Sequence, residues 1–319
     1  RSMRTPPVSI LRKVEGHNAQ PPQLQAPFSK GSDDRCSCCA ATMTIPRNKL
    51  TAWNAALCLF HSSLAFVTLY FGNVSLSVPL FKTLLNFRFV GEEGEEGENR
   101  AWEIVPVYAE EGSIPFTVMT AVFFILSAAF HLGNALLWRN FYLSQLEKCY
   151  TPTRWIEYSL SAPVMIVLIA YSLGVRSRSE IVGIAALIGI TMPFGYGVEI
   201  VSRPASEDEW SSPLTIRILP WIVGHVPQIV AWALIILQFY SVFDDTDRAP
   251  WFVTLILWAE LLLFFSFGAA SLLSQILPPR RFYQGEILFQ ALSLISKGVL
   301  GGVLITNVLI LSSFDEIYD

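Results

Sequence analysis

The sequence predicts an all-α membrane protein, a bundle of seven transmembrane helices with a small β-hairpin in its first long loop. Three observations carry that prediction. Of 319 residues, 52% are hydrophobic and only 15% charged, and the mean hydropathy is +0.46, a balance outside the range of ordinary soluble domains. Seven apolar stretches are each long enough to cross the hydrocarbon, which takes about 20 helical residues. The one long connection holds two β-prone pieces around an acidic tip, Glu92-Glu93-Gly94-Glu95-Glu96-Gly97-Glu98.

Residues 1–47 are rich in Pro, Gln, Ser and charge without apolar periodicity, the composition of a flexible tail. The membrane domain then occupies residues 48–312. Its first span covers about residues 48–71, and residues 72–114 form the long loop. Within that loop Ser75–Phe89 and Ala101–Ala109 suit either a two-stranded hairpin or an irregular surface connection. Further spans fall at about 115–138, 153–175, 180–201, 216–240, 251–276 and 285–312, and a short tail, 313–319, ends the chain. Pro163, Pro193, Pro220 and Pro227 lie in or beside spans, which membrane helices tolerate when neighbours satisfy the freed carbonyls.

Orientation follows from the basic residues. Residues 1–49 hold eight basic residues (Arg1, Arg4, Arg12, Lys13, Lys30, Arg35, Arg47, Lys49) against three acids, whereas residues 72–114 hold three basic residues against eight acids. The loop at 244–248 carries three Asp and one Arg, and Asp315, Glu316 and Asp319 lie near the end of the chain. The positive-inside rule therefore puts the N-terminus in the cytosol, with the first long loop and the C-terminus outside. Arg176 and Arg178 lie on the other side of this balance. The five cysteines form no disulfide framework. Cys36, Cys38 and Cys39 cluster in the tail, Cys58 and Cys149 stand alone, and no metal-ligand spacing appears.

The chemistry centres on the last span. Lys297 stands about a dozen residues from either end of an otherwise apolar run. A lysine at the centre of a membrane helix costs roughly 2.5–3.5 kcal/mol on insertion scales, so it needs an ion-pair partner, a proton-relay role or covalent use as a Schiff base. A cationic nitrogen there requires a buried carboxylate. The third span offers Glu157 in Arg154-Trp155-Ile156-Glu157-Tyr158-Ser159-Leu160-Ser161-Ala162-Pro163. Arg154, three residues earlier on the same face, is expected to hold that carboxylate ionised, and Ser161, one turn later, to donate to it. Ser293, four residues before Lys297, is expected within reach of the same nitrogen or its counterion.

A lysine in the seventh span, Arg-x-x-Glu-aromatic with a proline six residues after the acid in the third, and a basic N-terminal tail together resemble the retinal-binding microbial rhodopsins. The inverted orientation and several local features are similar to heliorhodopsins in particular. Those features are Trp155-Ile156-Glu157-Tyr158-Ser159-Leu160-Ser161-Ala162, Leu263-Phe264-Phe265-Ser266-Phe267-Gly268, histidines in spans one and two, and the long first loop. The resemblance covers about residues 48–312. It implies that Lys297 links all-trans retinal as a Schiff base and that Glu157 is the sole carboxylate counterion. Ser293 stands where pumping relatives carry a second acid. Phe264 and Tyr158 are implied as walls of the retinal site. Ser127, His131 and His61 are implied as an inner proton-accepting network, although a lone histidine in an apolar helix is often a packing residue. A homodimer with the hairpin near the contact is implied too.

Glu260 fits no such role. Ten residues into span six, it is either a functional carboxylate or a neutral acid bonded to an adjacent helix. The leading function is light sensing in a plasma or host membrane, with lipid around the bundle and an unknown cytosolic signalling partner. The alternative is light-activated proton conduction through Glu157 and Glu260. A G-protein-coupled receptor would show the opposite orientation, a secondary transporter would show repeated halves, and an enzyme would need a nucleophile–base set or metal ligands that the chain does not display. No nucleic-acid partner is expected.

Overall fold

The computed structural model describes residues 41–90, 101–243 and 249–309. The acidic tip, the 244–248 loop, the tail cysteines and the C-terminal tail lie outside these residues. Among the described residues, seven helices are long and apolar enough to cross a membrane.

The first is α1 (Arg47–Phe71), ended at Gly72, where the backbone turns extended. Strands β1 (Ser77–Val90) and β2 (Ala101–Pro115) follow as an antiparallel pair, with Phe87 opposite Ile104 and Leu84 opposite Val107. The expected hairpin is present, but β2 runs six residues past Ala109, straight into the next helix. The ladder continues because Val78 and Ile114, facing each other across it, are buried on the end of the bundle. A register shift between Pro79 and Phe81 frees Phe81 N–H to donate to Arg176 O (3.0 Å), which ties the hairpin to the connection between the third and fourth membrane-spanning helices.

Helix α2 (Phe116–Leu132) continues through a widened π turn at Gly133–Leu137. The Trp138 indole lies where a Cβ on Gly133 would stand, and Trp138 N–H bonds Gly133 O at 2.9 Å, so the wide turn depends on glycine. Short α3 (Arg139–Leu146) leads to α4 (Pro152–Ser172), which begins with proline at its first position, where no amide hydrogen is needed. Gly174 at φ +100° makes the turn out of α4. Then come α5 (Arg178–Val201), one-turn α6 (Leu214–Arg217), α7 (Leu219–Phe243), α8 (Trp251–Ile276) and α9 (Phe282–Leu304). Pro163, Pro193 and Pro227 stand inside α4, α5 and α7 without breaking them.

Helix α4 is among the most enclosed, with 56% of its most apolar window buried, against 22% for α5. Its inward residues therefore meet other helices, while Ile156 and Leu160 face outward. Outward faces carry side chains such as Leu262 and Leu237, 70% and 68% exposed, as a lipid-facing surface requires. Residues 41–46 correct the expected tail boundary. Met43 is buried against Tyr142, Leu143 and Leu146 of α3 and donates its N–H to Glu147 O at 2.7 Å. Its apolar side chain finds a surface that composition alone did not show.

Candidate functional site

Helix α9 points Phe289, Ser293, Ser296 and Lys297 inward along one buried stripe. Lys297 Nζ donates to Glu157 Oε1 at 2.8 Å, across from α4, and also to Ser127 Oγ on α2. Ser127 in turn donates to the same Glu157 oxygen at 2.8 Å. Three helices thus meet at one cation, one carboxylate and one hydroxyl, all shielded from solvent. The Tyr158 ring lies 5.6 Å from Nζ and its hydroxyl donates to Phe289 O at 3.2 Å, which locks the ring across the cation.

The expected support from Arg154 and Ser161 is not what holds Glu157. Arg154 binds Glu199, at the end of α5, and Glu286, in the first turns of α9. Side chains on a helix lean toward its N-terminus, so Arg154 reaches away from Glu157 to the end of the bundle where those two carboxylates stand. The same lean carries the Glu157 carboxylate away from Ser161, which is buried and lines the cavity below. Ser127 of α2 takes the place expected of Ser161. Ser293 also lines the cavity, and the hydrogen bonds of Lys297 and Glu157 among the described residues do not go to it.

His61 and His131 stack in parallel, with centroids 5.6 Å apart and planes 1° from parallel. His131 Nδ1 lies 2.9 Å from Asn54 Oδ1, so it donates there, while both nitrogens of His61 are buried without a protein partner among the described residues. Beyond them runs a polar chain that sequence reasoning missed. Gln290 Nε2 donates to Glu286 Oε1 at 2.8 Å and approaches Tyr142 Oη and Asn54 Oδ1 at 3.2 and 3.4 Å. Tyr142 donates to Glu286 Oε1 at 3.1 Å, and Thr151 N–H donates to Glu199 Oε2 at 2.7 Å. The signal for Glu199 and Glu286 was their acidity inside apolar spans. Their place near span ends disguised it as interfacial.

Glu260 is fully buried, and its Oε2 accepts from Ser296 of α9 at 2.7 Å. It is therefore an acid bonded to the neighbouring helix, one residue along α9 from Lys297. Phe264 lines the cavity and meets Trp232 edge to face at 5.4 Å.

The cavity opens from Lys297 between α4, α5, α7 and α8 and holds about 770 Å³ of atom-free space, part of it open to the outside. Its walls include Trp155, Tyr158, Phe194, Phe264 and Phe267. A primary amine with a paired carboxylate at one end of an aromatic-walled apolar cleft fits a long apolar aldehyde bound as a cationic imine.

Among solved structures, xanthorhodopsin, described as a light-driven ion pump with dual chromophore, matches with a TM-score of 0.56 at 13% identity, covering 86% of this chain and 98% of that one. Cyanorhodopsins from Tolypothrix sp. NIES-4075 and Calothrix sp. NIES-2098 give TM-scores of 0.43 and 0.44 at 14% and 12% identity, each covering 60% of this chain and 78% and 79% of theirs. At that identity the xanthorhodopsin likeness shows the fold alone, the seven-helix bundle of a rhodopsin. No curated protein sequence matches closely enough to count as a relative. The family model for heliorhodopsin matches residues 50–309, and the chain belongs to the heliorhodopsin family. It is accordingly a multi-pass integral membrane protein with a retinal chromophore.

Proposed function

We propose that this chain is a light sensor that carries all-trans retinal on Lys297, with Glu157 as the counterion. The observation that carries the reading is the buried 2.8 Å contact between Lys297 Nζ and Glu157 Oε1, with Lys297 in the wall of the apolar cavity. Retinal, when bound there as a Schiff base, supplies absorption of visible light and a change of shape on isomerisation.

The protein's part is to hold charge and guide a proton. Glu157 stabilises the cationic nitrogen and, sharing Ser127 with it, is the nearest acceptor for its proton. Tyr158, Phe264 and Ser161 wall the cleft, and Ser293 keeps a second acid out of the position one turn before Lys297. His131, one turn from Ser127 on α2, begins the route toward Asn54, Gln290 and Glu286. No direct hydrogen bond joins Glu157 to His131 among the described residues, so a proton crosses that step through water or after a helix shift. Such a shift is the two-state element through which a local charge change reaches a partner. The basic N-terminal residues support a cytosolic N-terminus, and on that orientation the Arg154 cluster faces the cytosol, where a signalling partner would bind. A homodimer in the plasma or host membrane completes the reading.

The test is reconstitution of the full chain with all-trans retinal. A visible band absent in Lys297→Ala and displaced in Glu157→Gln supports the assignment, and a colourless wild type overturns it.

A second reading, light-activated proton conduction, draws on the Glu260–Ser296 bond beside Lys297. Voltage-clamped cells across a proton gradient test it: a light-evoked current lost in Glu260→Gln supports a path through that carboxylate, and the absence of any wild-type current removes the reading.

A further inference from the structure

One polar atom in the cavity wall has no part in the chemistry at Lys297. His225 of α7 lines the cavity, as do Trp221 on the same helix and Gly268 and Ser271 on α8. Its Nδ1 lies 2.7 Å from Trp221 O, one turn back. A carbonyl has no hydrogen to give, so Nδ1 carries the proton, and in the neutral ring Nε2 is left with a bare lone pair. The ring is held in that orientation from the other side as well. Nε2 is the atom nearest to where a Cβ on Gly268 would stand, so any side chain at position 268 would displace it. The Trp221 indole N–H donates to Gly268 O at 2.8 Å, fixing α7 against α8 at this level. Nε2 has no hydrogen-bond partner among the described residues. The ring is half-buried, beside it stand Trp221, Phe264 and Phe267, and an acceptor against such groups is stabilised when a donor reaches it.

The aldehyde end of the chromophore is committed to Lys297, so it is the ring end that reaches this wall. Resting on the retinal reading above, we infer that the cavity selects a retinal whose ring carries a hydroxyl group. The ring O–H donates to His225 Nε2. Ser271 Oγ, one turn from Gly268 on the same helix and lining the same cavity, is a donor for the remaining lone pairs of that hydroxyl. An unsubstituted ring leaves Nε2 unmatched, and a keto-substituted ring brings an acceptor against an acceptor. The discrimination follows from the histidine tautomer, and the tautomer is set by the Trp221 carbonyl.

The experiment is a competition for the full chain expressed without chromophore. Membranes receive equimolar all-trans retinal and its ring-hydroxylated form, or all-trans retinal and its ring-keto form. The bound aldehydes are then extracted and quantified by chromatography, a readout independent of any photochemistry. The wild type is expected to retain the hydroxylated form about fivefold over plain retinal, the effect of one neutral hydrogen bond of ordinary net strength, and to show no preference for the keto form. In His225→Phe and His225→Leu the hydroxyl preference falls to about one while plain retinal still binds. A wild-type ratio near one, or a preference for the keto form, overturns the inference while leaving the retinal reading intact. So does a fivefold ratio that survives both substitutions. Retention of no aldehyde at all by the wild type overturns the retinal reading along with this one. The wild-type competition stands by itself if either variant fails to fold.

Discussion

The pair at the centre of the bundle sets a measurable energy even without chromophore. Lys297 Nζ and Glu157 Oε1 are 2.8 Å apart with side chains 5% exposed. At an effective dielectric of about 20, two unit charges at that distance attract by about 6 kcal/mol. Desolvating both groups cancels much of that, so the intact pair contributes little net stability. Glu157→Gln removes the anion and leaves the ammonium with Ser127 alone, which should cost about 3–5 kcal/mol. Lys297→Met strands the carboxylate in the same way. The double variant, Glu157→Gln with Lys297→Met, has neither buried charge and should recover most of the loss. The assay is equilibrium unfolding of the chromophore-free protein in detergent, read as a double-mutant cycle with an expected coupling of at least about 2 kcal/mol. Additive single losses, or a Glu157→Gln loss below about 1 kcal/mol, would refute the claim that these two side chains balance each other in the folded chain.

Further outcomes follow from neighbouring contacts. Arg154 neutralises Glu199 and Glu286 together. Arg154→Lys, which keeps the charge but not the fork, should therefore be destabilised by about 2 kcal/mol or more in thermal unfolding, while Arg154→Met combined with Glu199→Gln and Glu286→Gln should unfold later than Arg154→Met alone. Burial pushes the Cys149 thiol up to about 12, and Sγ lies 3.6 Å from Pro279 O. Being raised, it stays protonated through the ordinary pH range, so a variant retaining Cys149 alone should resist maleimide at pH about 8 until the fold is opened by denaturant. Gly174 turns at φ +100°, and Gly174→Ala should lower stability by about 1–3 kcal/mol in the same unfolding assay. After reconstitution, Ser127→Ala should displace the visible band, because Ser127 bonds both members of the central pair. An unmoved band would take Ser127 out of the counterion cluster.

How much of this was legible in sequence differs from element to element. The seven spans are set by length and hydropathy, properties local to each stretch, and the structure places them within a few residues of expectation. Strand β2 was expected to end at Ala109. Its continuation depends on pairing with Ser77–Phe81, which lies on the other side of the acidic tip. Lys297 and Glu157 stood out because a charge in an apolar span has few excuses. Arg154 was given the wrong partner because spacing along one helix says which residues share a face, not which way a long side chain leans or what another helix presents to it. Glu199, Glu286 and Gln290 were passed over for the same reason, and His225 was invisible until Gly268 was seen against it.

By itself, then, the sequence determined that the chain must live in a membrane, where its helices run and which two charged residues had to find each other there. Hydrophobicity and charge are properties of each residue wherever it lies, so these conclusions survive without coordinates. The tertiary structure alone decided that Ser127 rather than Ser161 joins the central pair, that one arginine serves two distant glutamates, and that a histidine ring packs against Gly268 in the cavity wall. Each of these depends on directions and distances between helices that meet only when the bundle is packed.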